Sequence, residues 1–127
     1  MRTTAFSFLL CIAALAAEPL KLTDAIRSDI QLMRERVSLP GGSGPVYASA
    51  RAIAAAHRVF AAVPLVAMSQ QEVVALLGEP SETVLPSASS AAGRLVYRFD
   101  YGEGGWEYVL TLDTHSRVTK LRKQSYE

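Results

Sequence analysis

The sequence predicts an α+β domain: two or three helices packed on a three-stranded antiparallel β-sheet. Three observations lead there. Apolar residues recur at helical spacing through the first two thirds of the chain. Large apolar residues alternate from Arg94 to Tyr101 and again from Trp106 to Asp113. The two alternating stretches, folded about a glycine-rich turn, place their large residues on one face.

Residues 1–17 stand apart. Arg2 gives a positive start, residues 3–17 carry no charge, and Ala14-Leu15-Ala16 and Leu15-Ala16-Ala17 both fit a small-x-small cleavage pattern. The segment is too short to span a bilayer comfortably, which takes ~20 residues. It reads as a signal peptide cleaved after Ala16 or Ala17, with an uncleaved anchor and a buried helix as the alternatives. The one cysteine, Cys11, lies inside it, preceded by Leu10 and followed by more apolar residues. That is not the setting of a lipid acceptor, so no lipid anchor is evident. The mature protein is expected in the periplasm or secreted, without disulfide or thiol chemistry. Removal of Arg2 leaves Lys+Arg equal to the 12 Asp+Glu, and a net charge of zero argues against nucleic acid as a partner.

The mature chain divides into an N-terminal helix and linker, residues 18–45, and a domain, residues 46–127. Thr23 to Val37 is predicted helical, capped by Thr23, with Ile26, Ile30, Met33 and Val37 as one apolar stripe. Pro40-Gly41-Gly42-Ser43-Gly44-Pro45 reads as a flexible link. Val46 to Ala62 is predicted helical, with Val46, Ala50, Ile53, His57 and Phe60 on one face, and Pro64 stops it. Ser69 to Leu77 is the best-signed helix. Ser69 and Glu72 form an S-x-x-E capping box, Met68 can staple onto Val73, Gly78 suits a left-handed cap, and Pro80 follows.

Val84-Leu85 is a candidate short strand, and Ser87 to Gly93 a loop. In Arg94 to Tyr101, residues Leu95, Tyr97, Phe99 and Tyr101 share a face. In Trp106 to Asp113, so do Trp106, Tyr108, Leu110 and Leu112. A turn centred on Glu103-Gly104 pairs Tyr101 with Trp106, Phe99 with Tyr108, Tyr97 with Leu110 and Leu95 with Leu112, at the expense of setting Asp100 against Glu107. Asp113 to Ser116 is a turn and Arg117 to Lys123 a third strand. Val118 and Leu121 differ in parity there, which calls for a bulge or an early end.

Met68-Ser69-Gln70-Gln71-Glu72-Val73-Val74-Ala75-Leu76-Leu77-Gly78-Glu79-Pro80 resembles the G-M-[ST]-x-x-[EQ]-V-x-x-x-L-G-x-P hallmark of the SmpA/OmlA family, which includes the BamE outer-membrane assembly lipoproteins. Met68, Ser69, Glu72, Val73, Leu77, Gly78 and Pro80 are the matching positions. Tyr97 to Tyr101 is similar to the family's aromatic strand, and Leu110 to Asp113 with Val118 and Leu121 to its closing hairpin. The family's glycine before the methionine is Ala67 here, and the glycine of its last turn is Ser116. The resemblance covers residues ~57 to 123. It implies two helices on a three-stranded antiparallel sheet, a fold shared with β-lactamase inhibitor proteins, and envelope proteins as partners.

No catalytic constellation is read from the chain. His57 lies in line with Ile53 and Phe60 and reads as core or core edge; His115 sits in a turn and reads as solvated. Without cysteine or H-x-x-x-H spacing these two make no metal site, and no cofactor is expected. No G-x-S-x-G occurs, and Gly41-Gly42-Ser43-Gly44 lacks a P-loop ending. Glu103 and Glu107 read as solvated at a hairpin tip. The aromatic strip Tyr97, Phe99, Tyr101, Trp106, Tyr108 reads as the helix-covered face. Arg94, Arg98 and Glu107, with Val96, Val109 and Thr111, form the open face, solvated by default and a partner surface as the alternative. The expected function is that of an exported, non-enzymatic protein-binding module of cell-envelope assembly or maintenance. The rival is a secreted inhibitor-like module that blocks an enzyme.

Overall fold

The computed structural model describes residues 21–38, 44–87 and 92–127. Residues 1–17 with Cys11, most of the Gly/Pro stretch 40–45 and the middle of the Ser/Ala stretch 87–93 lie outside the described residues. In chain order the elements are α1 (Asp24–Leu32), β1 (Arg36–Ser38), β2 (Val46–Ala48), α2 (Ala50–Ala62), α3 (Gln70–Leu77), β3 (Glu82–Val84), β4 (Gly93–Asp100), β5 (Gly105–Leu112) and β6 (Val118–Tyr126). The class is α+β. The main sheet is antiparallel in the order β3-β4-β5-β6, one short strand more than the three expected, and β1 and β2 form a separate ribbon.

Each helix starts on a hydroxyl cap. Thr23 Oγ1 accepts from Ile26 N at 3.1 Å, Ser49 Oγ from Ala52 N at 3.1 Å, and Ser69 Oγ from Glu72 N at 3.1 Å. The cap at Ser49 corrects the expected helix from Val46: Val46 to Ala48 is a strand paired with Arg36 to Ser38, which likewise takes Val37 out of the first helix. An alanine run after an efficient cap propagates a helix; the β-branched and aromatic residues before it favour extended backbone. The cap is itself held, since Ser49 Oγ donates to Glu35 Oε1 at 2.8 Å and Arg51 binds the same carboxylate.

The N-terminal helix belongs to the fold. Ile30 and Met33 join the one buried core with Val59, Phe60, Val73, Leu95 and Leu110. Arg58 holds Asp29 through two hydrogen bonds of 2.9 and 2.8 Å. Arg34, just past α1, donates to Leu77 O and Leu76 O at 3.3 Å each, satisfying carbonyls at the end of α3. Phe60 of α2 stacks on Tyr108 of β5 with centroids 4.0 Å apart, so this face of the sheet lies under the helices.

The hairpin pairs Leu95 with Leu110, Tyr97 with Tyr108, Arg98 with Glu107 and Phe99 with Trp106, two residues away from the expected register. A two-residue shift keeps every side chain on its predicted face. It changes the partners: Arg98, not Asp100, now faces Glu107, which removes the like-charge pair. The loop widens to Tyr101–Gly104, closed by Tyr101 N donating to Gly104 O at 2.9 Å, with Gly102 at φ +107°. Tyr101 therefore leaves the strand and is 49% exposed, and Trp106 is half-buried rather than core. Trp106 lies at the edge of the helix-covered face, under the Lys123 ammonium at 5.0 Å.

The expected bulge falls between Thr111 and Leu112: Leu112 pairs with Val118 and Thr111 with Lys120, so Thr119 is the additional residue. Residues 67–70 bind the start of β6. Ala67 N donates to Val118 O at 2.7 Å, Val118 N to Met68 O at 2.9 Å, and Gln70 N to Ser116 O at 2.9 Å. Among the described residues, Ala67 (φ 79°) and Ser116 (φ 58°) are the non-glycine residues with positive φ. They flank this junction on its two sides.

Candidate functional site: the open face of the sheet

β4, β5 and β6 carry rows of side chains across the face away from the helices. Val96 pairs with Val109 and Val109 with Arg122; Arg94 pairs with Thr111 and Thr111 with Lys120; Arg98 pairs with Glu107 and Glu107 with Gln124. Val96 and Val109 are 2% and 7% exposed although they lie outside the main core. Long side chains of flanking rows cover such positions with their aliphatic stems while their charges stay in water.

Arg98 is the hub. Its Nε donates to Glu107 Oε2 at 3.0 Å and its Nη2 to Glu82 Oε2 at 3.0 Å, while Arg94 Nη2 donates to Glu82 Oε1 at 3.2 Å. Gln124 Nε2 donates to the other Glu107 oxygen. Burial on its own would raise the Glu107 carboxyl. The Gln124 and Arg98 hydrogen bonds and the charges of Arg98 and Arg122 outweigh it and hold the group below the usual carboxylate range. Glu107 is thus an ionised member of a charge lattice, not a proton donor at neutral pH.

The structure brings together Arg94, Arg98 and Glu107, the three residues expected on this face. It adds Glu82, Gln124, Lys120 and Arg122, which sequence reasoning did not single out. Beside the lattice a groove of about 300 Å³ runs between Gly93, Arg94, Val109, Thr111, Lys120 and Arg122. Lys120 and Arg122 are exposed, and neither has an ion-pair partner among the described residues. Gly93 is required at the head of β4, because a Cβ there would meet Val84 O at 2.5 Å.

The motif residues lie elsewhere and serve the fold. Ser69 and Glu72 complete the capping box, with Glu72 Oε1 accepting from Ser69 N at 3.0 Å. Val73 and Leu77 are core, Met68 packs against it, and Pro80 is half-buried. Gly78 ends α3 at φ +91° and ψ −176°, a positive-φ cap outside the αL shape expected, and its carbonyl accepts from Tyr97 Oη at 2.8 Å.

His57 is at the core edge, its Nδ1 hydrogen-bonded to Tyr108 Oη and its ring edge-on to Trp106 at 5.0 Å. Burial, then the Lys123 charge, lowers its pKa. His115 is exposed in the turn, where its N–H and that of Arg117 bond Asp113 Oδ1 at 2.8 and 3.1 Å. Among the described residues no three His, Cys, Asp or Glu side chains are grouped to hold a metal ion, and no helix is long and apolar enough to cross a membrane.

Comparison of the chain with protein-family models, with curated proteins and with solved structures found no match.

Proposed function

We propose that this chain is an exported, non-enzymatic protein-binding module of the SmpA/OmlA kind, which meets envelope proteins through the open face of its sheet. The observation that carries the reading is the backbone at Ala67 and Ser116. The hallmark has glycine at these two positions, and they are the non-glycine sites of positive φ among the described residues. Positive φ at the two positions where the hallmark carries glycine supports the likeness of local design. The order from Ala50 onward, two helices and then strands, is the order that the resemblance implies. The open face supplies the surface: a lattice of paired charges held on rigid strands orders few side chains on binding, and so keeps the entropic cost of association low.

The test is affinity capture of a tagged protein from envelope extract, beside the Arg94→Gln/Arg98→Gln double variant. The expected result is co-purification of an outer-membrane assembly complex with the unaltered protein and its loss with a double variant of unchanged melting temperature. A single enzyme recovered in its place would favour the inhibitor-like reading. A folded double variant that keeps its partner would overturn the assignment to this face. Mass spectrometry of the exported protein tests the leader: the expected N-terminus is Ala17 or Glu18, and an intact Met1 or a lipidated Cys11 would contradict it.

A further inference from the structure

We infer that the free edge of β6 is a docking site for an extended acidic segment of a partner protein, which adds to the sheet as a further antiparallel or parallel strand. The inference rests on the protein-binding reading but places the contact on the edge rather than on the Arg98 lattice. β6 is nine residues long and ends the sheet. Its first residue is already bonded on the outer side, where Val118 exchanges hydrogen bonds with Ala67 and Met68. Beyond that point the outer edge carries no such partner among the described residues.

The backbone groups that face outward follow from the ladder. Tyr101 N donates to Gly104 O, so the even-numbered residues of β5 bond to β4 and the odd-numbered ones to β6. Gly105, Glu107 and Val109 pair with Tyr126, Gln124 and Arg122. The N–H and C=O groups of Leu121, Lys123 and Ser125 therefore point away from β5, ready for an added strand.

Charge selects the occupant. From Val118 to Tyr126 the strand holds Lys120, Arg122 and Lys123 and no acidic residue. None of the three has an ion-pair partner among the described residues. Lys120 and Arg122 stand two residues apart on the open face, the spacing of alternate side chains on any strand laid beside them. A segment with acidic residues at every second position sets its carboxylates against both and its other side chains beside Leu121. Lysines on an edge keep neutral and basic strands away. A second copy of β6 brings its own three cations and no carboxylate to the edge, so it offers Lys120 and Arg122 no counter-charge.

The probe is a blocked hexapeptide alternating glutamate and valine, titrated into the full mature protein and followed by NMR, with a lysine-for-glutamate peptide as control. The expected result is saturable binding of the acidic peptide alone, with new hydrogen-exchange protection at the amides of Leu121, Lys123 and Ser125. Lys120→Glu/Arg122→Glu should weaken binding at least about tenfold, the loss of two exposed ion pairs together with their reversal. Ser125→Pro, which removes an outward N–H without touching charge, should weaken it while leaving the β5–β6 amides protected. Binding without new protection at those three amides would overturn the inference, as would binding of the lysine peptide equally well. So would self-association of the protein without peptide, or binding to phosphatidylglycerol vesicles with no response to the peptide. None of these outcomes bears on the Arg94/Arg98 capture experiment, so the two proposals fail separately.

Discussion

Ala67 and Ser116 store removable backbone strain. At φ 79° and 58° both occupy the left-handed region, where a Cβ costs about 1–2 kcal/mol through its approach to the following carbonyl. Glycine has no Cβ, so Ala67→Gly and Ser116→Gly relieve that strain. Against it stands the greater freedom of glycine in the unfolded chain, about 0.4–1 kcal/mol. The balance is a gain of about 0.5–1 kcal/mol for each, which in a domain of this size raises the melting temperature by roughly 2–6 °C. The residues flank one hydrogen-bonded junction, so the double variant is expected to depart from simple addition. Ala75→Gly is the control. Ala75 is exposed inside α3, where the same substitution costs about 1 kcal/mol. The assay is a set of thermal and urea melts of the three single variants and the double. Opposite signs at 67 and 75 are expected; Ala67→Gly destabilising the protein as Ala75→Gly does would refute the left-handed assignment.

Ser69→Ala removes the acceptor of Glu72 N and loosens the reciprocal half of the capping box; a loss of about 1 kcal/mol is expected in the same melts. Leu110→Ala, at a position with no exposure, should cost about 2–5 kcal/mol, whereas Trp106→Ala, half-buried at the sheet margin, should cost less and leave a folded protein by circular dichroism. The folded-state pKa of His57 lies below the unfolded value of about 6.5, so the unfolded chain takes the proton first and the contribution of His57 to stability declines as pH falls from about 6.5 toward the folded value. NMR titration should place His57 below 6.5, and His57→Gln should flatten the acid side of the stability profile.

The sequence shows some of this structure through local rules and hides the rest in long-range ones. Faces were readable: parity puts Leu95, Tyr97, Phe99, Tyr108, Leu110 and Leu112 on the covered side whatever the exact pairing, and all six are buried. Partners were not, because a shift of two preserves parity; the like-charge clash of Asp100 with Glu107 was the one local clue to the observed register. The opposite parity of Val118 and Leu121 announced the bulge, but its location required the pairing with Thr111. The β1–β2 ribbon was lost to a coincidence of spacing, since Val46, Ala50 and Ile53 fit a helical face, and the cap at Ser49 was the signal that separated strand from helix. Of the open face, Arg94, Arg98 and Glu107 were legible from alternation. Glu82, Gln124, Lys120 and Arg122 arrive from strands whose register depends on a bulge and on the pairing of β3 with β4.

The single additional residue at Thr119 acts as a parity switch for the last third of the sheet. Everything after it takes its side from that one insertion: Leu121 turns inward to the helices, and Lys120 and Arg122 turn outward. Were Thr119 to pair with Thr111 in place of Lys120, closing the bulge, these roles would be exchanged along the rest of β6, burying two cations and exposing a leucine. Deleting Thr119 would leave Val118 against Leu112 and Lys120 against Thr111 and so keep every side chain on its side, whereas one residue added after Lys120 would reverse those that follow it.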